Sequence, residues 1–149
     1  MPSFGKRSSR RLEDLHPHLT SLLLECIHYV DFSVLETHRS PERQERLVSL
    51  GRSMTMNSKH LSLPAQAFDF CPWPMTKQDW TLPDRFIGTA HYILAVNAQM
   101  QKDGRLPATY HLRWGGDWDS DGLYGRAHKD DQTFDDLGHI EMVLHAERA

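Results

Sequence analysis

Residues 58–70 read Ser-Lys-His-Leu-Ser-Leu-Pro-Ala-Gln-Ala-Phe-Asp-Phe, and they combine metal-binding side chains with an apolar strand pattern. His60 and Asp69 are the strongest metal-ligand candidates in this stretch, and Cys71 directly follows it. From position 65 to position 70 the residues are mostly apolar and bounded by prolines, which predicts a short buried strand. The stretch therefore predicts a strand that carries a carboxylate, entered from a loop that carries an imidazole.

A second stretch, residues 135–141, reads Asp-Asp-Leu-Gly-His-Ile-Glu. From His139 onward apolar and polar residues alternate, which predicts a last strand over 139–144. In that strand His139 and Glu141 share one face, and the opposite face, which would meet the core, carries Ile140, Met142 and Leu144. We therefore expect the histidine and the glutamate to line a site.

Asp136 lies three residues before His139 and would point to the wrong face of a continuous strand. Gly138 permits a turn or bulge, which would swing the carboxylate toward the imidazole. The alternative interpretation is a turn carboxylate that precedes a strand with a buried histidine. Together the two stretches supply two imidazoles, a carboxylate and a further acid, which are the parts of a hydrolytic zinc site.

Three short motifs resemble the zinc D-alanyl-D-alanine peptidase family, which includes the vancomycin-resistance peptidases. They are Ser58-Lys-His60, Ala67-Phe-Asp69 and Asp136-Leu-Gly-His139. The branch most similar to this chain comprises the phage endolysins that cut the L-alanyl-D-glutamate bond of peptidoglycan. Further segments also resemble that branch: Phe4-Gly-Lys-Arg-Ser-Ser, Phe32 to Ser40, and Leu112-Arg-Trp-Gly-Gly-Asp-Trp. The resemblance thus touches most of the chain.

The spacing between the first two motifs departs from the family pattern. The step from His60 to Asp69 is two residues longer than usual, and Leu63-Pro64 stand where the family has a glycine. A two-residue loop insertion explains the difference, because both side chains can still converge from the two ends of that loop.

The resemblance implies a role for each site residue. His60, Asp69 and His139 would be the ligands of one catalytic zinc ion. Asp136 would be the general base, with the adjacent Asp135 as its rival. Arg39 would polarise the scissile carbonyl or hold a substrate carboxylate; the alternative for Arg39 is a surface arginine at a strand end. Apart from the resemblance, the position of Glu141 beside His139 suits it to orient a zinc-bound imidazole or to hold a substrate amine.

The periodicity predicts an α+β fold with a small antiparallel sheet packed against helices. The resemblance implies that this sheet carries the zinc site and that the fold is similar to the hedgehog and DD-peptidase folds. Helices are predicted over 18–29, 41–50 and 83–101, because each opens at a proline and carries apolar residues at helical spacing or a closing glycine. Further strands are predicted over 32–38 and 110–114.

Length and charge narrow the class of protein. A chain of 149 residues is predicted to form a single catalytic domain over 1–149. The net charge of −3 and the isoelectric point near 6.3 argue against nucleic-acid binding. No apolar run is long enough to insert into a membrane, and no signal-peptide pattern opens the chain. We therefore expect the protein to be made in the host cytoplasm and to reach the cell wall after release by another route. We also expect it to be a monomer.

Two further metal-site possibilities come from the sequence. Asp117, Asp119 and Asp121 alternate ahead of Gly122, as at the start of a calcium-binding loop, although a solvated acidic turn is the alternative because His128 stands at the twelfth position. Both cysteines have apolar neighbours and are predicted to be buried free thiols. Cys71 has the alternative of ligating zinc, unless Pro72 ends the strand first.

The sequence thus predicts a zinc-dependent phage endolysin that hydrolyses the L-alanyl-D-glutamate bond of peptidoglycan stem peptides for host lysis. One alternative is a D-Ala-D-Ala dipeptidase or carboxypeptidase. Another is a zinc-stabilised cell-wall binding module without catalysis, which would have no reason to keep an acid at Asp136.

Overall fold

The computed structural model describes residues 2–53, 56–80, 82–117 and 136–145. Four helices and four strands follow one another in these ranges. The helices are α1 (Lys6–Leu12), α2 (Pro17–Cys26), α3 (Pro41–Ser49) and α4 (Asp84–Lys102). The strands are β1 (Phe32–Glu36), β2 (Ala67–Pro72), β3 (Tyr110–Gly115) and β4 (Asp136–Leu144). Short 3₁₀ turns over Lys59–Leu61 and Lys77–Trp80 precede β2 and α4.

The strands form one antiparallel sheet in the order β1-β2-β4-β3. Helix α1 contacts β1, helix α4 contacts the other three strands, and α2 packs on α4. The sheet therefore has one face turned to the core and one face left for the site. This arrangement confirms the predicted α+β fold with a small antiparallel sheet.

Alternation along the strands separates the two faces of the sheet. The core face carries apolar residues that are nearly inaccessible to solvent, namely Phe32, Val34, Phe68, Phe70, Tyr110, Trp114, Ile140 and Met142. Helix α2 covers the core with a stripe of buried residues, namely Leu19, Leu22, Leu23 and Cys26. His139 and Glu141 lie on the opposite face, as the alternation in β4 predicts.

The predicted elements are all present, and their boundaries shift by a few residues. Helix α2 ends at Cys26 rather than near position 29. Strand β2 runs over Ala67–Pro72, because Pro72 lies at its end, where a missing N–H donor is tolerated. Strand β4 begins at Asp136, three residues earlier than predicted, because a register shift against β3 absorbs the extra residues.

The free edge of β1 is covered by side chains of α1. The Val34 backbone N–H donates to Ser8 Oγ at 3.0 Å, and Arg11 Nη1 donates to the Val34 carbonyl at 2.8 Å. Thr37 Oγ1 donates to the Arg11 carbonyl at 2.6 Å. These bonds satisfy an edge strand that would otherwise be open to pairing, and they fix the chain where it leaves β1 for the site.

In the described ranges, none of the helices combines the length and the apolarity needed to cross a membrane. The single domain over 1–149 stays a prediction.

Candidate metal centre

Two of the predicted metal ligands are fixed by the pairing of β2 with β4. Asp69 lies directly opposite His139, and Ala67 lies opposite Glu141. Residues directly opposite each other in an antiparallel pair have their side chains on the same face, about 4.5–5.5 Å apart at Cβ. The sheet ladder alone therefore brings the Asp69 carboxylate beside the His139 imidazole.

The third predicted ligand, His60, comes from the loop before β2. The Ser58 side chain caps the 3₁₀ turn by accepting from the His60 backbone N–H at 3.2 Å. The Arg39 N–H donates to the His60 carbonyl at 2.8 Å, and His60 Nδ1 lies 2.6 Å from the Thr37 carbonyl. Backbone contacts thus hold this buried side chain, whose relative exposure is only 1%.

The three side chains converge on one point. His60 Nε2 lies 3.2 Å from Asp69 Oδ1 and 3.2 Å from His139 Nδ1, and the last two atoms are 3.1 Å apart. Ligands about 2.05 Å from a tetrahedral zinc ion are separated by about 3.3 Å. The triangle therefore has the size of one face of a tetrahedral metal site, and these residues could hold a metal ion.

The hydrogen bonds on the far side of each imidazole assign the tautomers. His60 Nδ1 faces a backbone carbonyl, which can only accept, so Nδ1 carries the proton and Nε2 presents a lone pair. His139 Nε2 lies 2.9 Å from Glu141 Oε1, which by the same reasoning leaves a lone pair on Nδ1. Two imidazole lone pairs and a carboxylate oxygen then point at one another, an arrangement that suits a metal cation between them. Without a metal, a second proton on His139 can take that place.

The electrostatics of the site also favour positive charge at this point. Burial alone would lower the pKa of His139, but hydrogen bonds with Asp69 and Glu141 outweigh it and raise the pKa to about 9. Burial alone would raise the pKa of Asp69, but the two histidines outweigh it and hold that pKa well below its usual range. Asp69 is therefore an anion throughout the neutral range.

A second layer of side chains positions the ligands. Arg113 Nη2 donates to Glu141 Oε2 at 3.0 Å, so the glutamate that orients His139 is itself held. Burial would raise the pKa of Glu141, but its contacts with His139 and Arg113 outweigh burial and lower it. Glu141 thus remains an ionised acceptor for the imidazole, as the sequence predicts for an orienting residue.

Arg39 lies beside the metal point and is held by three protein partners. Its guanidinium donates to Glu36 at 2.8 and 3.2 Å, to Gln44 Oε1 at 2.7 Å and to Asp69 Oδ2 at 3.3 Å. The Arg43 guanidinium donates to the same Glu36 carboxylate from the solvent side at 2.8 and 3.3 Å. Arg39 is therefore a buried cation that steadies Asp69, and its predicted contact with substrate stays a prediction.

Asp136 reaches the site through the irregular start of β4. Trp114 pairs with Ile140, whereas the next residue, Gly115, pairs with Asp136, so β4 carries the bulge that the sequence predicts near Gly138. A Cβ at Gly138 would meet the Phe70 carbonyl at 2.6 Å, which explains the glycine. The Gly138 N–H faces the Asp136 carboxylate and opposes the rise of its pKa.

The environment of Asp136 makes it a stronger base than a free aspartate. Burial raises its pKa, and the nearby negative charge of Asp69 raises it further, against the opposing effect of the two histidines. A carboxylate with a raised pKa accepts a proton from water more readily. Asp135, the alternative base, lies outside the described residues.

Two clefts meet at the metal centre, and both are lined by Asp69 and Asp136. We name the first, of about 540 Å³, the cationic cleft, because its basic lining consists of Arg39, Arg43, Arg52, Lys59 and Arg113. We name the second, of about 560 Å³, the apolar cleft, because its apolar lining consists of Leu35, Phe70, Pro83, Phe86 and Leu137. The two clefts therefore adjoin at this pair of carboxylates.

The other metal-site predictions have mixed outcomes. Cys26 and Cys71 are both buried free thiols, as predicted. Although β2 continues past Cys71, the metal-binding group within the described residues consists of His60, Asp69 and His139 and does not include that thiol. Of the proposed calcium ligands, Asp119 and Asp121 lie outside the described residues, so the calcium site stays a prediction.

The sequence did not point to Glu36, Gln44 or Arg113 as part of the site. Gln44 is fully buried on α3, where it accepts from Arg39, and its burial could not be foreseen because its neighbours in the helix sequence are polar. Glu36 could have been noted as a carboxylate three residues before that arginine. Nothing in the sequence indicated that Arg113 would pair with Glu141. The two residues lie opposite each other on the neighbouring strands β3 and β4, and the sequence does not give the register of that pairing.

Comparison with known proteins identifies the family. The model of the phage L-alanyl-D-glutamate peptidase family matches residues 2–143, and the chain belongs to that family. The fold is similar to the crystal structure of the L-Ala D-Glu endopeptidase ChiX from Serratia marcescens. That likeness has a TM-score of 0.68 and 24% identity, and it covers 99% of this chain and 96% of the other. No curated protein matches the chain.

Proposed function

We propose that this peptidoglycan peptidase is a zinc enzyme, in which His60, Asp69 and His139 hold one ion while the L-alanyl-D-glutamate bond is hydrolysed. The observation that carries the proposal is the convergence of three lone-pair donors, 3.1–3.2 Å apart, on one point. Two imidazoles and one carboxylate form a ligand set typical of catalytic zinc, with a fourth position left open. The family membership supplies the reaction class.

A zinc ion held there would supply Lewis acidity, which activates a water molecule and polarises the scissile carbonyl. The protein residues orient the ligands. Glu141 and the Thr37 carbonyl keep both imidazoles in the tautomer that offers a lone pair. Arg39 keeps Asp69 oriented by donating to its second oxygen.

Asp136 is the general base in this proposal. It lines both clefts beside the metal point, and its raised pKa suits proton transfer. It accepts the proton of the attacking water and then delivers that proton to the amine of the departing D-glutamyl half. One carboxylate can serve both steps because the water and the leaving nitrogen occupy neighbouring positions in the reaction.

Peptidoglycan digestion tests the proposal. The protein stripped with a chelator should release no peptides, and one equivalent of zinc should restore release of fragments with a new N-terminal D-glutamate, read by mass spectrometry. Release of free D-alanine, with stem peptides shortened by one residue, would instead favour the carboxypeptidase alternative. Undiminished cleavage by the metal-free protein would contradict zinc dependence. Sedimentation of the same sample checks the expected monomer.

A further inference from the structure

The two clefts that meet at the metal centre differ in chemistry, and the halves of the substrate differ in the same way. The cationic cleft carries five basic side chains and four carboxylates. The apolar cleft carries three carboxylates among its aliphatic and aromatic residues, and none of its described lining residues is basic. A glutamyl residue linked through its amine carries two carboxyl groups. When the peptide continues through one of them, the other stays free as a carboxylate only a few bonds from the scissile nitrogen. The alanyl half carries only a methyl side chain.

The positive charge of the cationic cleft is only partly neutralised within the described residues. Glu36 is a single carboxylate gripped by both Arg39 and Arg43, and these guanidiniums lower its pKa against the opposing effect of burial. Arg39 also pairs with Asp69, and Arg113 pairs with Glu141, so the positive charge left accessible on this wall is chiefly that of Arg43. Arg43 is also half exposed, with 53% of its side chain accessible, so it can meet a ligand.

Arg52 adds a second accessible guanidinium to the same cleft. It follows the end of α3, where its backbone N–H donates to the Leu47 carbonyl at 2.8 Å. Its exposed side chain makes no hydrogen bond or ion pair with any other described residue. A guanidinium has a planar set of donors that matches a carboxylate in a bidentate manner.

We propose that the substrate lies across the metal centre in one direction, with the free carboxylate of the glutamyl half held by Arg43 and Arg52 in the cationic cleft. The alanyl half then lies in the apolar cleft against Leu35 and Phe86. The enzyme consequently selects stem peptides whose glutamyl residue is a free acid over those in which that carboxyl is amidated. This inference rests on the proposed function and specifies the substrate of the same site.

The charge difference between acid and amide gives a direct test. Two synthetic peptides would contain the L-alanyl-D-glutamyl bond and differ only in whether the free carboxyl is a carboxylate or a carboxamide of the same shape. The kcat/KM of the zinc-loaded protein should favour the acid on the order of 10-fold to 100-fold, because a hydrogen-bonded charge is lost in the amide. The preference should appear mainly in KM.

Variants then assign the preference to residues. Arg52→Gln and the double variant Arg43→Gln/Arg52→Gln should reduce the acid-to-amide ratio, the double variant to within about 3-fold of unity. Arg46→Gln is the matched control, since Arg46 is an exposed arginine on α3 that does not line the cleft. Arg52→Gln removes no hydrogen bond or ion pair of the described structure, and an unchanged melting temperature of the variant would separate its effect from a loss of stability.

A substitution in the apolar cleft tests the direction. Leu35→Asn should lower kcat/KM for both peptides by the same factor and leave the acid-to-amide ratio unchanged, because Leu35 is an exposed lining residue on the alanyl side. If Leu35→Asn abolished the ratio while Arg52→Gln preserved it, the direction would be reversed and the proposal wrong. Equal cleavage of acid and amide by the unmodified protein would also overturn it. Failure to cleave either peptide would overturn the proposed function itself.

Discussion

The strand-borne and loop-borne parts of the metal centre are held by different means. Asp69 and His139 are neighbours because β2 and β4 pair in a fixed register, and Glu141 belongs to the same ladder. His60 belongs to no strand and is held by contacts between its own backbone and ring and the chain around Thr37 and Arg39. A regular ladder and an irregular loop therefore deliver ligands to one point with comparable closeness.

The difference indicates which substitutions near the site would disturb the orientation of each ligand. A strand ligand is oriented by side chains that lie across the sheet, so substitution of a neighbouring residue can disturb it. The loop ligand is oriented by a backbone carbonyl, which no side-chain substitution removes. The Gln66 N–H donates to the Lys59 carbonyl at 3.0 Å and closes the loop, so His60 and Asp69 still meet across the longer spacing.

The largest expected effect comes from removing one ligand of each kind. His60→Ala and His139→Ala should each lose zinc and activity together, because two remaining ligands seldom hold zinc tightly. Metal content by mass spectrometry and peptide release are the measurements. Full zinc occupancy in the His60→Ala protein would show that the strand ligands suffice and that the loop is not part of the site.

Asp69→Ala should likewise lose both zinc and activity, while Cys71→Ser should keep both. The two residues are close in the same strand, and only Asp69 belongs to the converging group. The pair thus separates a ligand from a nearby thiol with the same two assays. If Cys71→Ser is the variant that loses metal, the ligand assignment on β2 is wrong.

Asp136→Asn should keep the fold and the bound zinc and lower kcat on the order of 10²–10⁴-fold. Asparagine has the same shape but cannot accept a proton from water at neutral pH. Stopped assays on purified peptidoglycan, together with zinc analysis, give the result. If Asp136→Asn kept full activity and Asp135→Asn were inactive, the general base would have to be assigned to Asp135 instead.

A smaller effect is expected from the groups that orient the two imidazoles. Glu141→Gln should weaken zinc affinity about 10–100-fold, because it weakens the acceptor of the His139 ring N–H. Thr37→Val is the counterpart on the loop side: it removes the Thr37 hydroxyl but leaves the carbonyl that holds His60. Zinc affinity measured by competition with a chelator should be unchanged in Thr37→Val. Equal losses of zinc affinity in both variants would contradict the conclusion that the strand ligand depends on a side chain and the loop ligand on a backbone carbonyl.

The smallest effect concerns the metal-free protein. The pKa of His139 is raised from 6.5 to about 9 in the folded state, so its charged form stabilises the fold below pH 6.5, and that stability is lost as pH rises through about 9. The free energy of unfolding in urea with a chelator should fall by roughly 1–3 kcal/mol between pH 6.5 and 9.5. His139→Gln should lack this part of the decrease. An identical pH profile in that variant would contradict it.

The sequence by itself determined the element types, the alternation in β4 and the identity of the candidate ligands. Alternation works because a strand has a period of two, so His139 and Glu141 separate from Ile140 and Met142 without any knowledge of partners. The need for a bulge before His139 also followed from the sequence, since Asp136 would otherwise lie on the wrong face. These are local properties, and each depends on a few neighbouring residues.

Only the tertiary structure decided which atoms meet. It set the register that opposes Asp69 to His139, and it gave His60 a backbone carbonyl as its partner, which no residue pattern encodes. It also gave Arg39 the buried partners Glu36 and Gln44. Such contacts depend on how distant segments pack in three dimensions. The free energy of that packing is distributed over the whole core and cannot be assigned to any one stretch of the chain.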